Sequence, residues 1–112
     1  MSFVPKEFLK RLSENLPRIK KHNPEFYQTM VDQEKMAFKD GHLDNKTKEL
    51  IAVALSIATK CPYCIPYHVE KALKAGASKD EMMEVAEVSI TMGGLPATTY
   101  TTMMLQAIDE LS

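Results

Sequence analysis

The segment between residues 49 and 68 contains side chains whose types and spacing suit thiol chemistry. Cys61 and Cys64 are separated by two residues, and His68 follows Cys64 by four. Two thiols at this spacing can close a small disulfide ring, and the thiolate is the nucleophile of disulfide exchange. An imidazole one helical turn away can accept the thiol proton, or stabilise the thiolate as imidazolium. The spacing therefore predicts a thiol–disulfide exchange site.

These three side chains require a helix to hold them on one face. Pro62 suits the first position of a helix, which makes Cys61 the N-cap or its neighbour. The offsets of three, four and seven residues then align Cys61, Cys64 and His68. A helix N-terminus carries partial positive charge, which lowers the pKa of a nearby thiol.

Glu49 is a fourth candidate, located on the preceding helix twelve residues before Cys61. That helix is predicted to begin after Asp44 or Asn45 and to be central and buried, because it is apolar nearly all round. The joint to the next helix is short, so the two helices are expected to pack as an antiparallel pair. Glu49 would then come alongside His68 and orient its ring, giving a chain from Glu49 through His68 to a thiol.

Proline, glycine and capping signals predict the remaining helices of an all-α fold with about six helices. The signals are Pro5 and Pro17 at the start and near the end of the first helix, Asn23, Pro24 and Gly41 for the second, Gly76 at the end of the fourth, Ser78 and Glu81 as a capping box for the fifth, Gly93 and Gly94 at its end, and Pro96 at the start of the sixth. No turn sequence lies between two alternating apolar runs, so no hairpin is expected.

The composition indicates a soluble globular protein. The 112 residues are expected to form one domain, 1–112, and 45% of them are hydrophobic while 26% are charged. A net charge of −1 argues against nucleic-acid binding. No apolar run suits a membrane span and no secretory signal is visible, so a cytoplasmic location is expected. Eight methionines hint at oligomer contacts.

Two other interpretations of the cysteines stay open from the residues alone. The pair can be small buried apolar side chains without chemistry. Alternatively, Cys61, Cys64 and His68 supply three zinc ligands with an open fourth position, whereas a structural zinc site needs four protein ligands. In the second case the protein would be a non-catalytic helical oligomer that binds zinc or a small ligand.

Three segments resemble a known family: 48–53 (Lys-Glu-Leu-Ile-Ala-Val), 61–68 (Cys-Pro-Tyr-Cys-Ile-Pro-Tyr-His) and 75–77 (Ala-Gly-Ala). They are similar to the alkylhydroperoxidase D (AhpD)-like group of the carboxymuconolactone decarboxylase superfamily. The shared pattern is Glu-x11-Cys-x2-Cys-x3-His followed by a Gly-Ala turn and an acidic helix. The resemblance spans about residues 24 to 110, with 49–68 as its core motif.

The resemblance implies an all-α fold whose single-domain members assemble as trimers or hexamers. It implies a peroxidase or disulfide reductase without a cofactor, re-reduced by a lipoyl- or thioredoxin-like donor and acting on a hydroperoxide or a protein disulfide. Cys64 would become the sulfenic acid and Cys61 the resolving cysteine and proton donor, with Glu49 and His68 as the proton relay. Helix-dipole reasoning does not favour Cys64, so the two cysteine roles are open to exchange. The decarboxylases of the superfamily lack the cysteine pair, so lactone decarboxylation is not expected.

Overall fold

A computed structural model describes residues 2–112 and contains six α-helices. They are α1 (Pro5–His22), α2 (Pro24–Phe38), α3 (Asn45–Ala58), α4 (Cys64–Lys74), α5 (Lys79–Gly93) and α6 (Leu95–Leu111). The described residues contain no strand. The predicted all-α class is therefore confirmed.

Side-chain caps fix several of the helix starts that the sequence predicts. Asn23 accepts a hydrogen bond from the Phe26 N–H at 3.0 Å, and Asp44 accepts one from the Thr47 N–H at 2.8 Å. Hydrogen bonds from Thr47 hold the pKa of Asp44 below its usual value. Ser78 and Glu81 form the predicted capping box, in which each side chain accepts the other residue's N–H.

The end of helix α1 lies five residues beyond Pro17, which the sequence placed near that end. The helix continues through Pro17 and ends at His22, where the Asn23 N–H bonds to the Ile19 carbonyl. A proline inside a helix removes one backbone hydrogen bond. Pro17 is exposed, so the carbonyl group left without a partner lies where water can solvate it.

Helix α3 is central, and it packs against α4, α5, α6 and α2. Its buried residues include Val53 and Ile57, which are fully enclosed together with Ile65 and Val69 of α4. The prediction that α3 is buried nearly all round is wrong on one face. Ile51 and Leu55, one turn apart, are 44% and 57% exposed because no helix of the described chain covers them.

Helix α2 has no fully buried residue. One of its faces is partly covered by the rest of the fold. Its apolar side chains are incompletely covered, since Phe26 and Met30 are 57% and 40% exposed. The end of α2 is tied to the start of α3, because the Asn45 side-chain amide donates to the Phe38 carbonyl at 2.8 Å. A cleft remains between α2 and the helices beneath it. None of the helices in residues 2–112 could cross a membrane.

Candidate active site

Cys61 and Cys64 form a disulfide, with their Cα atoms 5.2 Å apart. The turn that holds them follows directly from the end of α3. Lys60 has a left-handed backbone with φ of 57°, and the Cys61 N–H donates to the Ser56 carbonyl at 3.0 Å. The chain reverses there, so the half-buried disulfide lies between the C-terminus of α3 and the N-terminus of α4.

Helix α4 begins at Cys64, two residues later than predicted, and its formal N-cap is Tyr63. Cys61 nevertheless makes the two hydrogen bonds that are typical of an N-cap residue. Its sulfur accepts the Cys64 N–H at 3.1 Å, and its carbonyl accepts the Ile65 N–H at 3.1 Å. In the reduced protein an N–H aimed at the Cys61 sulfur would stabilise a thiolate at that position.

The Glu49 and His68 side chains meet across the α3–α4 interface. Glu49 Oε2 lies 2.9 Å from His68 Nδ1, and the Glu49 residue is only 3% exposed. A carboxylate can only accept a hydrogen bond, so Nδ1 carries the shared proton. The Nε2 atom is then the ring atom that remains able to take up or release a proton. Together the two residues form a buried carboxylate–imidazole pair.

Two aromatic rings fix the plane of the His68 imidazole. Phe38 of α2 stacks on it, with centroids 5.4 Å apart and planes inclined by 14°. Tyr67 approaches it edge-on, with centroids 5.0 Å apart. The sequence contained no signal that the Phe38 ring contacts His68.

Tyr67 also connects α4 to a second carboxylate, Glu34 of α2. The Tyr67 hydroxyl donates to Glu34 Oε1 at 2.9 Å, and Lys71 Nζ lies 3.6 Å from the same oxygen. The Lys71 ammonium also sits 4.9 Å from the centroid of the Tyr67 ring. Burial, and then the adjacent Glu34 carboxylate, raise the pKa of the Tyr67 hydroxyl. Sequence reasoning missed this group of three.

The structure contains the predicted series of contacts, from Glu49 through His68 to a thiol, only as two separate pairs. Glu49 contacts His68, and Cys61 is bonded to Cys64. No hydrogen bond within residues 2–112 joins His68 to either sulfur, so the thiol–imidazole link stays a prediction. Over the same residues, no group of three or more His, Cys, Asp or Glu side chains is arranged to hold a metal ion.

A cleft of about 510 Å³ opens beside the Glu49–His68 pair, between α2 and helices α1, α3 and α4. We call it the α2 cleft. Its lining consists of Leu16, Tyr27, Met30, Val31, Glu34, Lys35, Phe38, Lys39, Asn45, Glu49, Tyr67 and Lys71. The cleft therefore reaches one residue of the buried pair, Glu49, while His68 is not part of its lining.

An all-α fold with a Cys-x-x-Cys disulfide at the start of α4 and a buried Glu–His pair between α3 and α4 defines a helical protein with a cysteine-pair site. The model of the carboxymuconolactone decarboxylase family matches residues 24–107. The chain belongs to this family, as the segments in residues 48–77 indicated.

Relatives and solved structures agree with that membership. An uncharacterised protein from the cox locus of Paracoccus denitrificans is 40% identical over 77 residues, which cover 69% of each chain. A family member from Legionella pneumophila, solved in its apo form, is 36% identical with a TM-score of 0.95 over 99% of both chains. A Thermotoga maritima family protein, suggested to be involved in the antioxidative response, is 25% identical. Its TM-score is 0.83, over 94% of this chain and 89% of that one.

Proposed function

We propose that the protein is a thiol-dependent oxidoreductase of AhpD type, which reduces a hydroperoxide while Cys61 and Cys64 cycle between dithiol and disulfide. The observation that carries the proposal is the disulfide at the start of α4, the helix whose His68 is held by the buried Glu49 carboxylate. The antioxidative role suggested for the Thermotoga relative supports the same chemistry.

In the first step the Cys64 thiolate attacks one oxygen of the hydroperoxide. An S–O bond forms, the O–O bond breaks, and the alkoxide leaves as an alcohol after taking a proton supplied through His68. Cys64 is thereby oxidised by two electrons to a sulfenic acid. Glu49 keeps the imidazole oriented and stabilises its protonated form.

In the second step the Cys61 thiolate attacks the Cys64 sulfur. The S–S bond forms and the S–O bond breaks, and the leaving hydroxide takes a proton from the solvent to become water. The hydrogen bond from the Cys64 N–H to the Cys61 sulfur favours Cys61 as the thiolate of this step. A dithiol of lipoyl or thioredoxin type then reduces the disulfide by exchange and is itself oxidised to a disulfide. A protein disulfide is an alternative oxidising substrate for the same cycle.

The test is the reaction of fully reduced, metal-free protein with one equivalent of cumene hydroperoxide, followed by intact mass. We expect the wild type to lose two hydrogens much faster than a free dithiol does. Cys61→Ser should stop at a Cys64 sulfenic acid that dimedone traps, and Cys64→Ser should form no trapped adduct. A sulfenic acid at Cys61 in Cys64→Ser, and none in Cys61→Ser, would show that Cys61 attacks the hydroperoxide and Cys64 resolves the intermediate.

Oxidation of the wild type at the rate of a simple dithiol would reject the peroxidase assignment. In that case, rapid reduction of the disulfide by dihydrolipoamide or reduced thioredoxin would leave disulfide exchange as the activity. Stoichiometric zinc in protein purified without added metal would favour the alternative in which Cys61, Cys64 and His68 bind a metal.

A further inference from the structure

The α2 cleft has chemical features that the proposed cysteine cycle does not use. We propose that it is a binding site for an amphipathic organic anion, a carboxylate carrying an unbranched hydrocarbon chain of about ten carbons. A volume of about 510 Å³ falls within the range of small-molecule sites. Helix α2, which forms one wall, is the only helix of the described chain that buries no residue.

The two ends of the cleft differ in polarity. The N-terminal half of α2 contributes Tyr27, Met30 and Val31, and the facing residue of α1 is Leu16. This end is apolar, and Met30 is 40% exposed although it lines a concave surface. A hydrocarbon chain placed here would cover apolar surface that is now in contact with water.

The other end of the cleft carries charge of both signs, and its carboxylates already have partners. Glu49 is bound to His68, and Glu34 accepts from Tyr67 and pairs with Lys71. Lys35 and Lys39 line the same end. Neither of these lysines forms an ion pair within the described part of the chain. With Lys71, three lysines line the cleft against the two carboxylates, so the balance of charge is positive, which favours an anionic head group.

The spacing along α2 sets the length of the ligand. Lys39 is the C-cap residue of α2 and its N–H bonds to the Lys35 carbonyl at 3.2 Å, so the two lysines lie one turn apart at the end of the helix and can contact one carboxylate together. From Tyr27 to Lys39 the helix rises about 18 Å, at 1.5 Å per residue. A ten-carbon chain with its carboxylate between the two lysines reaches the apolar end without leaving the cleft.

Calorimetric titration of the disulfide form with two ten-carbon probes of opposite charge tests the proposal. Decanoate should bind with one-to-one stoichiometry, about tenfold more tightly than decyltrimethylammonium, because two lysine contacts favour the anion. The oxidised protein turns over no peroxide, so this result does not depend on the proposed peroxidase activity.

Pairs of variants distinguish recognition of the ligand's head group from contact with its hydrocarbon chain. Lys35→Gln/Lys39→Gln should remove most of the preference for decanoate, whereas Lys6→Gln/Lys79→Gln makes the same charge change elsewhere and should leave it intact. Met30→Asn should weaken both probes. Equal binding of the two probes, tighter binding of the cation, or no binding of either would overturn the proposal. An equal loss of decanoate affinity in both lysine pairs would also overturn it.

Discussion

Phe38 stacks on the imidazole of His68, with ring centroids 5.4 Å apart and planes inclined by 14°. Glu34, one turn earlier on α2, accepts a hydrogen bond from Tyr67, the residue beside His68 on α4. Helix α2 is therefore joined to the site by two neighbouring contacts, one aromatic and one polar. A helix that buries no residue of its own thus helps to hold the imidazole ring in place.

Replacing Phe38 with leucine should slow disulfide formation without unfolding the protein. The variant keeps an apolar side chain but loses the flat surface that fixes the imidazole plane. Aromatic pairs of this kind contribute about 0.5–1.5 kcal/mol, so we expect the rate with cumene hydroperoxide to fall about two- to tenfold. The measurement is the rate of thiol loss by intact mass, with circular dichroism to check the fold.

Phe26→Leu is the matched control for this change. Phe26 lies on the same helix and is 57% exposed, and it forms no aromatic contact with His68. Its substitution should leave the rate unchanged. Equal slowing in both variants would mean that the effect comes from α2 as a whole rather than from the stacked ring.

Glu49→Gln should lower the rate of thiol oxidation about 10- to 100-fold, by analogy with carboxylates that orient metal-bound histidines. The amide oxygen can still accept from Nδ1, so the ring stays near its position, but the negative charge that stabilises an imidazolium is gone. The rate should be measured across the neutral pH range with the same hydroperoxide. Glu84→Gln, an exposed change on α5, supplies the control. Wild-type rates for Glu49→Gln at every pH would reject the proton relay.

Much of this site could be predicted from local signals. Asp44 caps α3, and the Cys61 turn begins α4 within two residues of its predicted start. Two helices joined by a short turn pack as an antiparallel pair, so residues on their facing sides come together. That geometry is why Glu49 could be matched to His68 from spacing alone.

Contacts between elements distant in sequence left no such signal. Phe38 and Glu34 reach His68 and Tyr67 only because α2 folds over α4, some thirty residues later in the chain. An apolar stripe predicts that a helix face is covered but does not identify the residue that it contacts. Pro17 left the end of α1 open in the sequence, and the structure places that end at His22.

The hydrogen bond between Tyr67 and Glu34 should make stability sensitive to alkaline pH. The pKa of Tyr67 is raised by burial and by Glu34, so the folded state holds this proton more tightly than the unfolded chain does. Its contribution is complete below the normal tyrosine pKa of about 10 and is lost as pH rises through the raised value. The free energy of unfolding should therefore fall more steeply above pH 10 in the wild type than in Tyr67→Phe, with a difference in slope of up to about 1.4 kcal/mol per pH unit for the one proton involved.

Urea unfolding between pH 8 and about pH 11 measures this difference. Tyr27→Phe is the control, because Tyr27 lines the α2 cleft without a hydrogen bond to Glu34. Parallel pH profiles for the wild type and Tyr67→Phe would show that Tyr67 ionises equally in both states, contrary to the prediction.

The exposed face of α3 leads to a prediction about assembly. Ile51 and Leu55 lie one turn apart and are 44% and 57% exposed, so we propose that another copy of the chain covers them in a trimer or hexamer. Leu55→Lys should weaken association at least about tenfold, since it places a charge in an apolar contact. Leu43→Lys changes the same residue type at similar exposure, 48%, and should leave association intact. Sedimentation velocity over a range of protein concentrations measures the oligomeric state. A wild type that sediments as a monomer at every concentration would contradict the prediction.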